Sequence, residues 1–343
     1  MNRNTRARGI AAAAALLTAA ALAVTGCSTG SGGDKPADGD SSAVEMPTVR
    51  FGYIADFNGA SLLAIADDQD LWEKAGLEVE TPVFTNGPLQ IQALGTNDLD
   101  FGYIGPGAMW LPASGQAEVA AINSLGNADR VIAQNGITSI KDLKGKKVAV
   151  PEGTSGDMIL TMALRSAGMT IDDVEKVAMD PSTVVAAFSS KQVDAAGIWY
   201  PLINTIEQQV PDLEILAENE DFSEDVAFPS AFVANPKFTK EHPEATEKVL
   251  GVLREAMDYR AENIDDTVEL TAKMLKADAK GFAADAENAK YLSSSELDEL
   301  TEDGTVAAWL TSLNEYFVSA GKLEDATDAS TYYLGDAFVA AGK

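Results

Sequence analysis

The chain has 343 residues, 46% of them apolar, and carries 25 Lys and Arg against 53 Asp and Glu, for a net charge of −28. That length and apolar content suit one large domain or two lobes with their own cores, and they exclude an intrinsically disordered chain. So large an acidic excess excludes nucleic acid as a partner, because phosphate binding needs clustered cations.

Arg3, Arg6 and Arg8 precede an Ala/Leu stretch from Ile10 to Val24, the charged-then-apolar layout of a secretory signal. The stretch falls short of the roughly 20 apolar residues of a bilayer span. Val24-Thr25-Gly26-Cys27 resembles the bacterial lipobox, in which the thiol is lipidated and heads the mature chain. A secretory signal with an incidental cysteine is the alternative, although such signals tend to end in an A-x-A-like site. The expectation is a signal peptide over residues 1–26, lipidation of Cys27, and export with anchoring to the outer face of the bacterial cell membrane. Loss of the three arginines would move the net charge to −31. With its single cysteine so used, the chain has no disulfide, no cysteine nucleophile and no Cys/His metal site.

Residues 28–45, rich in Ser, Gly, Asp and Ala, cannot offset the entropy of folding and read as a flexible tether. From Thr48 onward, short β-rich runs alternate with longer amphipathic ones, which predicts parallel strands with helical crossovers. The first series is strand 49–54, helix 60–74, strand 77–84, helix 88–95, strand 99–104, helix 106–114 and strand 117–124. A second series is strand 146–150, helix 156–168, strand 174–179, helix 181–190, strand 194–199 and helix 201–209. Arg130–Gln134 and Val226–Asn235 are candidate crossovers between two lobes. Helices near 240–262, 265–276, 285–291 and 304–321 follow, with no strands to alternate with.

Gly87-Pro88, Gly105-Pro106, Asp180-Pro181 and Tyr200-Pro201 each put a proline where a helix begins, a position that tolerates its missing N–H. In open α/β sheets ligands collect beyond the strand carboxyl ends, where helix N-termini present free N–H groups and partial positive charge. Thr154 and Ser155 offer hydroxyls at a fifth such junction, with simple capping as the alternative. Tyr53, Phe57, Tyr103, Trp110, Trp199 and Tyr200 cluster near strand ends. Trp199 and Tyr200 are the favoured cleft residues among them, and truncating Trp199 is expected to spare the fold. Asp56, after the first strand, can receive an ammonium group or stay a solvated loop acid.

Ile137 to Val150, with Ile140-Lys141-Asp142-Leu143-Lys144-Gly145-Lys146-Lys147-Val148, resembles the motif that opens the second lobe in solute-binding proteins of bacterial ABC importers. Leu99-Asp100-Phe101-Gly102, Val193-Asp194-Ala195 followed by Trp199, and Glu241-His242-Pro243-Glu244 are similar to the branch that binds taurine, aliphatic sulfonates, nitrate or thiamine-pyrimidine compounds. Leu125-Gly126-Asn127, Tyr200-Pro201 and Tyr291-Leu292-Ser293 bring the taurine binders nearest. The resemblance implies a two-lobed α/β fold of the type II periplasmic-binding-protein kind, with two crossover hinge segments and a helical C-terminal region. Its lobes would span 46–133 and 134–227, with 228–343 returning to the first lobe. It further implies a pocket of Asp56, Phe57, Asn58, Gly105, Pro106, Asn127, Thr154, Ser155, Asp180 and Trp199, to which Tyr200 is added. Sulfonate and taurine binders often have His two residues after the Ser/Thr pair, whereas this chain has Asp157. Either Asp157 points outward or the solute carries positive charge.

The favoured function is therefore a monomeric solute receptor that captures a small polar organic solute, taurine or an aliphatic sulfonate, by lobe closure and delivers it to an ABC permease, with no cofactor and no metal. A cationic or quaternary-amine solute is the alternative, suited by Asp56, Asp157, Asp180 and the aromatic set. An enzyme of the pyrimidine-synthesis type is a third reading. Against it, the single histidine, His242, precedes Pro243 in a polar segment, and no phosphate loop or metal-ligand spacing is present.

Overall fold

Every residue of Ala195–Trp199 is apolar or glycine, the signature of a strand covered on both faces. In the computed structural model, which describes residues 46–343, this strand is the middle of a five-stranded sheet. The sheet order is Glu214–Glu218, Asp129–Ala133, Ala195–Trp199, Lys147–Val150, Glu175–Ala178. Val131, Ala133, Val148 and Ala195 share an apolar cluster with Ile159, Leu160 and Ala163 of the helix Ser155–Ser166. The alternate residues Ile132, Ala149, Ala196 and Ile198 pack instead with Val184, Phe188, Ile203 and Ile206 of the helices Pro181–Ser189 and Leu202–Glu207. The two-residue period of a strand thus divides one run between two helical layers. The expected signal peptide, Cys27 and the tether lie outside the described residues.

A second sheet has four antiparallel strands in the order Ala289–Tyr291, Glu118–Gly126, Pro229–Ala234, Phe101–Ile104. Phe51 bridges Phe101 and so joins this sheet to two short parallel pairs, Val49–Arg50 with Val79–Glu80 and Tyr53–Ile54 with Val83–Phe84. The Phe51 ring lies 5.5 Å from those of Phe101 and Phe232. Buried Gln90 acts as a substitute strand: its amide donates to the Tyr103 carbonyl at 2.8 Å and accepts from the Tyr103 N–H at 2.9 Å. The long helices Phe57–Asp68, Pro243–Glu262 and Ile264–Leu275 pack against one another beside this sheet.

Several expectations shift. Strands 49–54 and 77–84 are each split in two, the latter around Pro82, which has no N–H for a ladder. Helix 60–74 begins earlier, at Phe57, and breaks at Asp70, whose φ is 53°. The pairing is mixed: Ala195–Trp199 is parallel to Lys147–Val150 but antiparallel to Asp129–Ala133. Arg130–Gln134, read as a crossover, overlaps that strand, and the chain changes sheets at Asn127-Ala128. Within Val226–Asn235, Pro229–Ala234 is likewise a full strand. Residues 285–291, read as helical, hold the end of the helix Ala279–Ala286 and the strand Ala289–Tyr291. Pro201 stands before its helix, after a cis peptide bond, rather than inside it.

Candidate functional site

Between the two sheets lies a cleft enclosing a cavity of about 60 Å³. A single ordered water needs a cavity of only ~10–15 Å³, so the cleft has room for a small ligand. Ile54, Asp56, Asn58 and Tyr103 line it from the four-stranded side, and Asp129, Thr154, Ser155, Trp199 and Tyr200 from the five-stranded side.

Asp56 is the N-cap of the helix Phe57–Asp68; its Oδ1 accepts the Gly59 N–H at 2.7 Å. Behind it Asn58, Ser124, Ser230 and Asn123 form a buried network. Ser124 donates to Asn58 Oδ1 at 2.9 Å, lies 2.8 Å from the Ser230 hydroxyl, and the Asn123 amide donates to the Asn58 carbonyl. Arg260, fully buried and stacked 4.5 Å over the Tyr291 ring, secures this network by donating to Ser61, Asn123 Oδ1 and the Asn123 carbonyl. Burial lowers its pKa to about 10.

Across the cleft, Asp129 opens its strand and is held by Asn219, which accepts the Asp129 N–H at 2.7 Å and donates to Asp129 Oδ2 at 3.2 Å. Its Oδ1 is buried without a hydrogen-bond partner. Neighbouring Arg130 is spent elsewhere: it donates to the Asn127 and Asp129 carbonyls, pairs with Glu218 at 3.1 Å and lies over the Tyr200 ring. Burial drives the Asp56 carboxyl up to about 7, with the Gly59 N–H opposing and the charge of Asp129 adding. Asp285, beneath Asp56 and bonded to the Phe57 N–H, is held well above the carboxylate range by burial and then by Asp56. Burial also raises Asp129, while Ser155, Asn219 and Arg130 pull it back. Among the described residues lining the cleft, none is Lys, Arg or His.

The helices Gly87–Gly95 and Ser155–Ser166 direct their N-termini here. Asn86 caps the first by accepting the Leu89 N–H at 3.0 Å. Thr154 uses its hydroxyl on the Pro151 carbonyl at 2.6 Å, which leaves the Ser155 hydroxyl near Gly105, whose added Cβ would sit 3.7 Å from it. The two sides touch at Gly107, where a Cβ would come within 2.2 Å of the Thr154 carbonyl.

Of the residues expected from sequence, Asp56, Asn58, Gly105, Pro106, Thr154, Ser155, Trp199 and Tyr200 line this cleft. Three do not. Phe57 turns inward to an apolar cluster with Val268, Ala272 and Phe282, because position 57 is one residue past the cap and faces the neighbouring helix. Asn127 is at the change of sheets, donating its N–H to the Asn288 carbonyl. Asp180 lines a separate surface hollow with Glu152 and Thr183. Asp157 faces away into another cavity, where it accepts from the Gly153 N–H and from Lys176 at 3.0 Å each. His242 packs on Phe238 at 4.9 Å, half-buried and apart from the cleft. Asp129, Ser124 and Ser230 were missed; Asp129 immediately precedes the segment Arg130–Gln134 read as a crossover, and only pairing with distant Asn219 reveals its setting. Among the described residues no group of three or more His, Cys, Asp or Glu is placed to hold a metal ion.

Two sheets with helix N-termini meeting in a shared cleft define the periplasmic binding protein fold. The structure is similar to that of the alkanesulfonate-binding protein SsuA from Xanthomonas axonopodis pv. citri bound to MOPS, with TM-score 0.67 and 19% identity over 84% of this chain and 98% of that one. It is also similar to the periplasmic nitrate-binding protein NrtA from Synechocystis PCC 6803, with TM-score 0.68 and 18% identity over 87% of this chain and 89% of that one. Residues 59–266 match the family described as NMT1/THI5 like, and the chain belongs to that family. A protein of Brucella abortus named only as a binding protein is 56% identical over 85% of this chain and 92% of its own length. The taurine-binding periplasmic protein of Escherichia coli is 26% identical over 52% of this chain and 56% of its own length.

Proposed function

We propose that this protein is the exported solute receptor of an ABC importer, gripping a small polar organic solute between its two sheets and passing it unchanged to a membrane permease. The cleft carries this reading: hydroxyls, aromatic rings and the N-termini of two helices converge on it from both sides. Such groups hold a charged solute by hydrogen bonds and dipoles, and closure over it expels water. Taurine or a related aliphatic sulfonate is the favoured solute class, supported by the named relatives. The acidic lining favours members of that class with an amine, or a cationic solute outright. A thermal-shift panel of taurine, propane-1-sulfonate, choline and putrescine tests the reading, since a ligand bound only by the folded form raises the melting temperature. Failure of every compound, repeated by calorimetry, would sink it.

Two lobes that exchange at Asn127-Ala128, ahead of the 133/134 boundary expected from sequence because Asp129–Ala133 pairs within the five-stranded sheet, with 228–343 returning to the first, and a monomer anchored through lipid on Cys27 complete the proposal. Cys27→Ala should move the protein from the membrane to the soluble fraction. Its retention on the membrane would refute the anchor.

A further inference from the structure

The cleft brings together acids without a partner charge. Asp56, 5% exposed, comes from the four-stranded side and Asp129, 3% exposed, from the five-stranded side. Asp129 Oδ1 is closed off from solvent and has no hydrogen-bond partner among the described residues, and Asp129 is part of the cleft lining. An ionised carboxylate oxygen left so is costly unless something occupies the cavity beside it. Among the described residues lining the cleft none is a cation: Arg130, next to Asp129, is matched by Glu218 and bonded to backbone carbonyls, and the buried Arg260 is bonded to Ser61 and Asn123. Around the site stand Trp199, Tyr200 and Tyr103, whose rings suit a cationic nitrogen or its alkyl groups.

We propose that Asp56 and Asp129 form a cation subsite split across the cleft, which selects solutes bearing a positively charged nitrogen and couples that selection to closure. The inference rests on the receptor reading and deepens it. With the cleft empty, the two carboxylates repel as their sheets approach; a positively charged nitrogen between them turns the repulsion into attraction from both sides. A solute that carries only a sulfonate would add a third negative charge and meets no such gain. A zwitterion fits both ends, its anion toward the N-termini at Gly87 and Ser155 and its nitrogen toward the acids. The closing force then comes from the part of the solute that a plain anion lacks.

The test uses the full mature protein with Asp129→Asn and Asp56→Asn. Each variant keeps the local fold, because Asn can still accept from Asn219 at position 129 and is as good an N-cap as Asp at position 56. Calorimetry with taurine, choline and propane-1-sulfonate at pH 8 should give wild-type preference for the nitrogen-bearing probes. Each variant should lose about 10–100-fold of their affinity, as expected of a desolvated charge pair, with propane-1-sulfonate unchanged or tighter. Without any ligand, Asp129→Asn should melt about 2–4 °C higher than wild type at pH 8, since a buried unmatched charge is gone. If propane-1-sulfonate binds wild type best and neither variant changes any affinity, the subsite is refuted while the receptor reading stands. A lower melting temperature for ligand-free Asp129→Asn would also refute it, marking the carboxylate as structural. Absence of binding by every probe overturns the receptor reading and this inference with it.

Discussion

Gly107→Ala is the sharpest test of whether the cleft works by closure. Gly107 belongs to the short turn Pro106–Ala108 on the four-stranded side, and a methyl group there would lie 2.2 Å from the Thr154 carbonyl carbon and oxygen and 2.3 Å from the Ser155 nitrogen. Ordinary contact begins near 3.4 Å, so the two backbones must part by about 1.2 Å. Neither partner is a flexible side-chain tip; both are main chain at a helix start. The wedge acts on the contact that brings Gly105 to Ser155 and Pro88 to Gly153, where an added Cβ on Gly153 would sit 3.6 Å from the Pro88 ring. Overpacking of this kind costs about 1–3 kcal/mol. If that cost is borne only by the closed form, the solute's Kd should weaken by about 5–150-fold. The ligand-free melting temperature should stay within a degree of wild type, because neither sheet's own core is touched. Calorimetry with the best ligand of the panel, paired with a thermal melt, reads both. Wild-type affinity in Gly107→Ala would refute closure at this contact, and a ligand-free melt several degrees lower would show the contact to be part of the fold.

Stability in the absence of ligand should fall as pH rises from 5 to 8. Asp56 titrates near 7 in the folded chain against 3.8 in the reference state, so the folded form holds a proton that the unfolded form has released, and raising the pH withdraws that advantage. Affinity for a cationic solute should move oppositely, strengthening up to about pH 8, and a flat calorimetric profile would contradict the role of Asp56. Arg260→Met should cost about 3 kcal/mol or more in a denaturant melt, since it strands Asn123 and Ser61 in the core; a change within error would contradict the bonding described. Trp199→Ala should weaken binding and also cost about 3–5 kcal/mol, because the indole, 8% exposed, packs in the cluster of Ile198 and Ile203 as well as lining the cleft. An unaffected melt would restore the sequence expectation that this ring spares the fold.

The alternation of strands and helices, the helix starts at Gly87-Pro88, Gly105-Pro106 and Thr154-Ser155, and the aromatic end of Ala195–Trp199 were all legible from residue order. Each depends on neighbours a few positions away: a proline tolerated at a first turn, a hydroxyl before a helix, an apolar run bounded by turns. Asp56 was legible from its place after the first strand and from the family resemblance, but its capping of the helix Phe57–Asp68 was not, since that helix was expected to begin at residue 60. Strand pairing was a different matter. Arg130–Gln134 looks like a connection in isolation, and the overlapping Asp129–Ala133 becomes the second strand of its sheet only because Glu214–Glu218 and Ala195–Trp199 flank it.

The charge character of the cleft was likewise out of reach of the residue order. Asp157, Asp180 and Asp129 are equivalent acids on paper. Lys176 draws the first into another cavity, the second opens on a surface hollow, and Asn219, 90 positions away in sequence, fixes the third against the cleft. Local propensity sets what each segment becomes, because its energy is spent within a turn or two of chain. Which carboxylates end up desolvated and facing each other is decided through space, by partners that only the folded chain brings into reach.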